Sequence, residues 1–405
     1  MFTRPCIESS ATLAMEQSFR SFRSTPMSTE ALAFETVRTV DGFRALQPEW
    51  DDLWRCAKGE YFQSFAFCNS ALETDDTVAR RKLHCVTGRR DGRLVAIWPL
   101  VTFRNICWKY ATPLGPENRA PSDILAAPDD DRDELVRATW RAALKSTGAD
   151  VFQLWRIRAT SLLHRYATRE NIARRLQEEP TPYAMLRSEQ DWEAFCRSRP
   201  GRSRTRPLYL KKRLASHGAI SIDMVEANDA RLQPLIDWFV LHKREWARHN
   251  GLNSQWVFSE SSRAFWNALL SQASPDAGEF RLFVLTLNGE PCAMNIIAVN
   301  AACAYLLANT YDREVARLSP GTVLIDDCVK WAYDRGLDFD FGPGDQSYKF
   351  SWTGGLSYTT ASFLVLPTVW GRSGHAAKQG VKSLRLMAGR VAGRQTPEVL
   401  EADAS

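Results

Sequence analysis

No window of this 405-residue sequence offers about 18 consecutive apolar residues, so no transmembrane helix is expected. No G-x-G-x-x-G or Walker loop occurs either, which argues against the usual glycine-rich cradles for dinucleotides and ATP. The nine cysteines are scattered, odd in number and without a C-x-x-C pair. That distribution argues against a zinc site or a disulfide framework and fits buried thiols in a reducing cytosol, and no metal is expected. A large net charge is also missing: 52 basic against 47 acidic residues leave +5, too little for the overall balance to imply a nucleic-acid partner. The first 32 residues, rich in Ser, Thr and Arg, lack the apolar centre of a signal peptide and read as a disordered leader, with Met27 an alternative start.

What is present is the composition of a folded protein, 44% hydrophobic and 24% charged, with 14 tryptophans suited to cores and ligand clefts. The length favours two domains. From Ala33 to Val40 the chain alternates as a strand does, and Asp41 then stands as N-cap of a helix whose stripe is Phe43, Leu46, Trp50, Leu53 and Trp54. Asp91-Gly92 turns a hairpin, since Asp-Gly supplies the positive φ of a tight turn. A strand from Ile106 to Thr112, a loop to Asp130, a helix from Asp131 to Ser146 and a strand from Asp150 to Ile157 complete an α/β unit. Residues Ser161 to Pro182 read as connection, with Pro180 and Pro182 at the boundary. The expected division is a leader 1–32, a domain 33–182, a domain 183–368 and a basic tail 369–405.

The second half repeats the succession. A long helix from Asp229 to His249 carries Leu232, Leu235, Ile236, Phe239, Val240 and Trp246 inward, and Asn288-Gly289 joins two alternating runs as a hairpin. A helix from Pro320 to Arg335 and a strand from Leu337 to Phe341 match Asp131–Ser146 and Asp150–Trp155 of the first half. Similar order without evident identity fits a duplication.

Chemistry concentrates near the end of that repeat. Ser319 stands as N-cap, Pro320 suits a first turn, and Gly321 allows close approach to the backbone of Thr322, so the helix start can receive an anion. It also fits a plain helix start. The preceding strand ends in Asn309-Thr310-Tyr311-Asp312, and a loop with Arg313 and Arg317 follows, an arrangement that suits a pyrophosphate. Asp338 and Asp340 share one face of the next strand, Gly342-Pro343-Gly344 turns the chain, and Asp345, Tyr348 and Lys349 fall at the strand's carboxyl end. Arg197, Arg199, Arg202, Arg204, Arg206, Lys211, Lys212 and Arg213 form a basic cluster, open to reading as a solvated face, a cofactor attractant or a tRNA surface.

These residues, with Trp352 three positions beyond Lys349, resemble the CelD-type acetyltransferases of the GNAT superfamily found beside bacterial cellulose and exopolysaccharide genes. The resemblance spans about Arg202 to Leu366 and includes Leu241-His242, Trp246 and the hairpin Leu287-Asn288-Gly289-Glu290-Pro291-Cys292-Ala293. It implies an α/β fold of tandem GNAT-like domains, each a mixed, partly splayed sheet flanked by helices, with acetyl-CoA or another acyl-CoA in the second. The pyrophosphate would meet Ser319 to Thr322, although Arg317-Leu318-Ser319-Pro320-Gly321 replaces the usual Q/R-x-x-G-x-G/A loop. The implied enzyme is a cytoplasmic N-acyltransferase acting on an amine of a small molecule or polysaccharide precursor. Amine attack on a thioester needs a base and oxyanion donors. Asp345, His242 and Glu245 are the base candidates, and Tyr348 and Lys349 bind or orient, Tyr348 also being placed to protonate the thiolate. His242 and Glu245 equally fit an ordinary helix face. Related Fem-type transferases supply the alternative of an aminoacyl-tRNA donor. A non-catalytic partner in exopolysaccharide or cellulose synthesis is the other alternative. The tail from His375 to Arg394 puts Val381, Leu384, Met387 and Val391 near one face among basic residues, which fits contact with an anionic membrane surface, a packed helix or a frayed end.

Overall fold

The computed structural model describes residues 32–74, 81–116, 120–169, 172–189, 191–199, 206–272 and 279–379. The leader, Arg202 and Arg204 of the basic cluster, and the tail beyond 379 lie outside the described residues. Thirteen strands are described: β1 (Leu32–Val37), β2 (Lys82–Arg90), β3 (Arg93–Asn105), β4 (Trp108–Pro113), β5 (Leu125–Ala126), β6 (Val151–Arg158), β7 (Ala173–Ala184), β8 (Ile220–Val225), β9 (Glu279–Leu287), β10 (Glu290–Val299), β11 (Cys303–Tyr311), β12 (Asp338–Asp340) and β13 (Ser357–Val365). They run in one mixed sheet in the order β1-β2-β3-β4-β6-β13-β7-β12-β11-β10-β9-β8, with β5 paired to β3.

The order shows two similar halves meeting at an exchange. Each half makes four antiparallel strands and then a parallel fifth, reached through a right-length helical crossover: β4 to β6 through the Arg132–Thr147 helix, and β11 to β12 through the Pro320–Asp334 helix. The sixth strands trade places. β7 follows β6 in the chain yet pairs with β12 of the second half, while β13 pairs with β6 of the first, and the two lie side by side.

The segment read as connection up to Pro182 is therefore the helix Leu162–Arg169 and the central strand β7. Its prolines are tolerated because of the direction their missing N–H would take. The carbonyl of Pro182 accepts from Phe341 N and that of Pro180 from Gly344 N, so both residues point their polar groups toward the β12 side. The ladder to β13 uses the residues between them and stays intact. On the β12 side the pairs Phe339↔Ala184 and Asp340↔Tyr183, the two bonds to the proline carbonyls and those of Tyr183 and Arg187 to Asp338 join the halves of the sheet.

Other differences are local. Thr39, not Asp41, caps the helix Val40–Ala45, accepting from Gly42 N. Ile106 belongs to a turn, and β4 starts at Trp108. The hairpin turns behave as their residues dictate, with positive φ at Asp91, Gly92, Asn288 and Gly289.

Two apolar cores flank the sheet. One is shared between halves: Phe67 of the Phe65–Thr74 helix meets Phe265 of the Glu260–Ser271 helix at 5.5 Å and Phe280 of β9 at 6.4 Å, and Tyr61 meets Tyr305 of β11 at 5.1 Å. Burying a phenylalanine such as Phe67 is worth about 1.5–3 kcal/mol, so this contact fixes one half against the other. The second core lies under the Pro320–Asp334 helix, where Val323, Leu324, Cys328, Val329 and Ala332 pack with Trp352 and Phe339. Gly336 ends that helix in the left-handed region, with Gly336 N bonded to Tyr333 O and Leu337 N to Ala332 O, and the chain turns straight into β12.

Candidate active site

The parallel strands β11 and β12 share only Cys303↔Asp338, Ala304↔Phe339 and Tyr305↔Asp340. Beyond that point they separate. Gly342, at φ +72, turns the chain away, and a Cβ there would stand 3.3 Å from Leu306 O. β11 continues to Tyr311 bonded to β10 alone, and a register shift leaves Leu307 as an extra residue in the bulge opposite Ile296 and Ile297. The result is a V whose arms are 306–311 and 341–345.

Two lysines occupy the lips of this V. Lys349, on the Ser347–Thr353 helix, donates to Gly342 O at 3.2 Å and Pro343 O at 2.8 Å. Lys243, on the Leu232–His249 helix, donates to Asn309 O at 3.0 Å and lies 4.3 Å from the Trp246 ring centroid. Burial lowers both lysines to about 8; Lys349 additionally lowers Lys243, whereas Asp340 opposes the fall for Lys349. Tyr348 hydrogen-bonds Asn309, which partly offsets the rise that burial causes in the phenol.

The V opens on a cavity of about 160 Å³ lined from both halves. Aromatic rings of Tyr61, Phe67, Trp256 and Trp266 form much of its wall. At its polar end Asp340, 3% exposed, accepts from Tyr358 OH at 2.6 Å and Gly342 N at 2.8 Å. Arg158 bridges Glu60 at 2.9 Å, lies 3.7 Å from Asp340 and stacks 4.4 Å over Tyr358. Desolvation raises the Asp340 carboxyl above its ordinary range, against the lowering by Tyr358 and Arg158. Thr181 Oγ1 and Trp256 Nε1, both on residues of the lining, are buried without a protein hydrogen-bond partner.

Residues 202–350 match the model of the acetyltransferase (GNAT) domain. No curated protein matches the sequence. Among solved structures, FemX aligns with 82% of this chain and 97% of its own at 10% identity, TM-score 0.53. The L-PGS of Bacillus licheniformis aligns with 82% of this chain and 93% of its own at 12% identity, TM-score 0.50. A tandem GNAT protein from the clavulanic acid biosynthesis pathway covers 82% of this chain and 98% of its own at 12% identity, TM-score 0.43.

Within residues 202–350, the structure brings Asn309, Tyr348 and Lys349 together. Asp345 is exposed on the turn, near enough to support the charge of Lys349. His242 and Glu245 are not joined to that group by any contact: the His242 ring lies 4.0 Å from Trp238, and its Nδ1 is 3.3 Å from Glu245 Oε2, outside hydrogen-bond geometry. Ser319 departs from the expected cap. It is left-handed (φ 57, ψ 45) with no side-chain cap bond, because the Ala316–Leu318 turn delivers the chain at the wrong angle and Ser319 N is held by Ala316 O. Thr322 N is bonded to Ser319 O, the Tyr311 ring stands 3.3 Å from where a Gly321 Cβ would be, and Arg317 is exposed.

The basic cluster is less uncompensated than its sequence. Asp191 lies near Arg197, Glu189 pairs with Arg199, and Asp327 pairs with Lys211. Lys243, Glu60, Arg158 and Tyr358 were not identified from sequence. Only Lys243 carried a signal, a lysine four residues after Phe239 on an otherwise apolar stripe. Arg158→Met is expected to lower stability by about 2–4 kcal/mol in urea unfolding, below the range for a fully buried pair because the Arg158 side chain is 31% exposed.

Proposed function

We propose that the protein is an acyl-CoA-dependent N-acyltransferase, most simply an acetyltransferase, with the donor in the V between β11 and β12 and the acceptor amine in the adjoining cavity. The observation that carries this reading is that the strands part immediately after Tyr305↔Asp340, where the cavity is lined by both arms and each arm has a lysine bonded to its backbone, Lys243 at Asn309 O and Lys349 at Gly342 O and Pro343 O. The pyrophosphate would lie toward the start of the Pro320–Asp334 helix, near Ser319, Gly321, Thr322 and Arg317. The aromatic walls and the two unpaired polar atoms suit a small polar acceptor such as an amino sugar or polysaccharide precursor.

In this mechanism the amine nitrogen attacks the thioester carbon and the carbon–sulfur bond breaks. Asp340 takes the first ammonium proton and passes it to water, its raised proton affinity bringing it closer to the amine it must deprotonate. The second N–H proton, lost as the intermediate collapses, restores through water the proton that Lys349 gives to sulfur. Lys243 meets the developing oxyanion. Lys349, lowered to about 8, matches a leaving thiol of about 8.5 better than Tyr348, whose phenol is raised above 10, so Lys349 rather than Tyr348 returns the proton to sulfur. Turnover then falls above about pH 8 as the lysines lose charge, and falls at acid pH as Asp340 gains its proton. A pH–rate profile of free-thiol release from acetyl-CoA, with a panel of amino sugars as acceptors, checks both limbs.

The direct test is calorimetry with acetyl-CoA. Binding with release of thiol on adding an acceptor is expected. Absence of heat at millimolar cofactor, together with acyl transfer from an aminoacyl-tRNA, would replace this reading with the Fem-like one. The partly neutralised cluster around Arg199 and Lys211 gives that alternative no additional support. We place the enzyme in the cytoplasm, and the carboxyl-terminal residues 381–394 bear on membrane contact only through their composition.

A further inference from the structure

The far end of the first half carries an apolar feature that neither core nor turn chemistry accounts for. Three hairpins of the described sheet turn through residues of positive φ. Two use Asp91-Gly92 and Asn288-Gly289, as positive φ favours; the third, between β3 and β4, places Ile106 at φ 55. A β-branched residue is disfavoured in that conformation, and this one is 88% exposed, so it gains no burial in return. At the start of the 369–379 helix, Trp370, 55% exposed, reaches the carbonyl of Cys107 next to Ile106, and the preceding Val369 is 69% exposed. Trp370 packs on Trp108 at 6.1 Å, and each indole N–H approaches a carbonyl across the contact, Trp108 to Trp370 O and Trp370 to Cys107 O. Close docking holds this helix in place: Gly371 lies against the Asp150 carbonyl and Gly374 against the Trp108 ring, with no room for a Cβ at either. The apolar groups are thus fixed outward by a rigid base.

The rim is basic. Arg104 lies directly opposite Lys109 in the β3–β4 register, a like-charge pairing that opposes hairpin formation. Lys109 feels Arg104, Arg38 and Lys82 as well, with Asp150 the acid near it. On the helix side Arg174 and Lys378 surround His375, and Arg372 follows Trp370. The contact with Trp108 repays Trp370, and Lys109 and Arg372 are held by backbone carbonyls, but in water nothing repays the exposure of Ile106 beside these cations.

We propose that this end of the sheet docks on an anionic phospholipid bilayer, Ile106, Val369 and Trp370 entering the interface while the surrounding lysines and arginines meet the headgroups. The surface lies on residues outside the acyl-transfer site, and it does not depend on that assignment.

Co-sedimentation of the full chain with phosphatidylcholine vesicles, with and without phosphatidylglycerol, tests it. Binding only to the anionic vesicles is expected, weakening as salt screens the cations. The double variant Ile106→Glu, Val369→Glu alters two exposed side chains, so its melting curve should match the parent while vesicle partitioning drops on the order of tenfold or more. Equal binding to both vesicle types, or full retention of binding by the double variant, overturns the proposal. So does a parent dimer that the double variant dissolves without any change in vesicle binding, since the apolar groups would then belong to a second copy of the chain.

Discussion

Asparagine at position 340 is expected to lower kcat by at least a hundredfold while leaving acetyl-CoA affinity within a few-fold of the parent. The size follows from the role: a positioned general base contributes on the order of 10²–10⁴ in rate. The change is nearly isosteric, and it separates chemistry from packing. Oδ1 accepts from Gly342 N and Oδ2 from Tyr358 OH; an amide keeps the first bond and can donate its N–H to the phenol oxygen in place of the second, so the change costs at most about 1 kcal/mol. Folding should survive. Tyr358→Phe removes the same bond without removing the base, and its smaller loss of turnover calibrates the structural part of the effect. The decisive readout is pH. Asp340 must be ionised to accept a proton, and desolvation raises its carboxyl, so the acid limb of the parent's profile should lie above the ordinary carboxylate range and vanish in the asparagine variant. An acid limb that persists would move the base elsewhere, with exposed Asp345 the next residue to change.

What sequence could reveal of this protein divides along local and non-local lines. The hairpins at Asp91-Gly92 and Asn288-Gly289, and the stripe Leu232, Leu235, Ile236, Phe239, were legible because turn chemistry and helical period act over a few residues. The repeated succession of strands, a helix and a further strand was legible for the same reason, though not which strands pair parallel. The exchange of β7 and β13 was not. It is written in pairings such as Ser357↔Pro182, across 175 positions of chain, and Pro180 and Pro182 looked like a boundary because their carbonyl direction is unknown until β12 is in place. The site divides likewise. Tyr348 and Lys349 follow the glycine-rich turn in sequence, and Lys349 bonds its carbonyls, whereas Glu60 and Arg158 reach Asp340 from the other half, with no sequence proximity to mark them. Ser319 shows the limit of a motif: a good capping residue type sits at the right position, but its left-handed backbone leaves the side chain without the bond.

Methionine in place of Lys243 is expected to stabilise the protein at pH 7 and to remove most of its activity. Lys243 holds an ammonium in a largely buried position, one bond to Asn309 O and the Trp246 ring being its contacts, with Lys349 repelling it. Its folded-state pKa of about 8 lies below the ordinary 10.5, so between those values the unfolded chain binds a proton that the folded chain has released. Stability contributed by this residue therefore rises with pH from about 8 to 10.5, and the penalty is fully present below 8. Methionine keeps the stem against Trp246 and removes the charge, worth about 1–3 kcal/mol at neutral pH after the lost hydrogen bond is counted. At about 1–2 °C per kcal/mol for a unit of this size this is a small but measurable rise in Tm, and it should fade toward pH 10.5 as the parent sheds its own charge. Turnover should fall about a hundredfold, the loss of one oxyanion donor, with acetyl-CoA affinity little changed. A gain in stability joined to a loss of kcat is the mark of a charge retained for chemistry. A less stable methionine variant with full activity would assign Lys243 to the fold, as the residue that closes the open edge of β11.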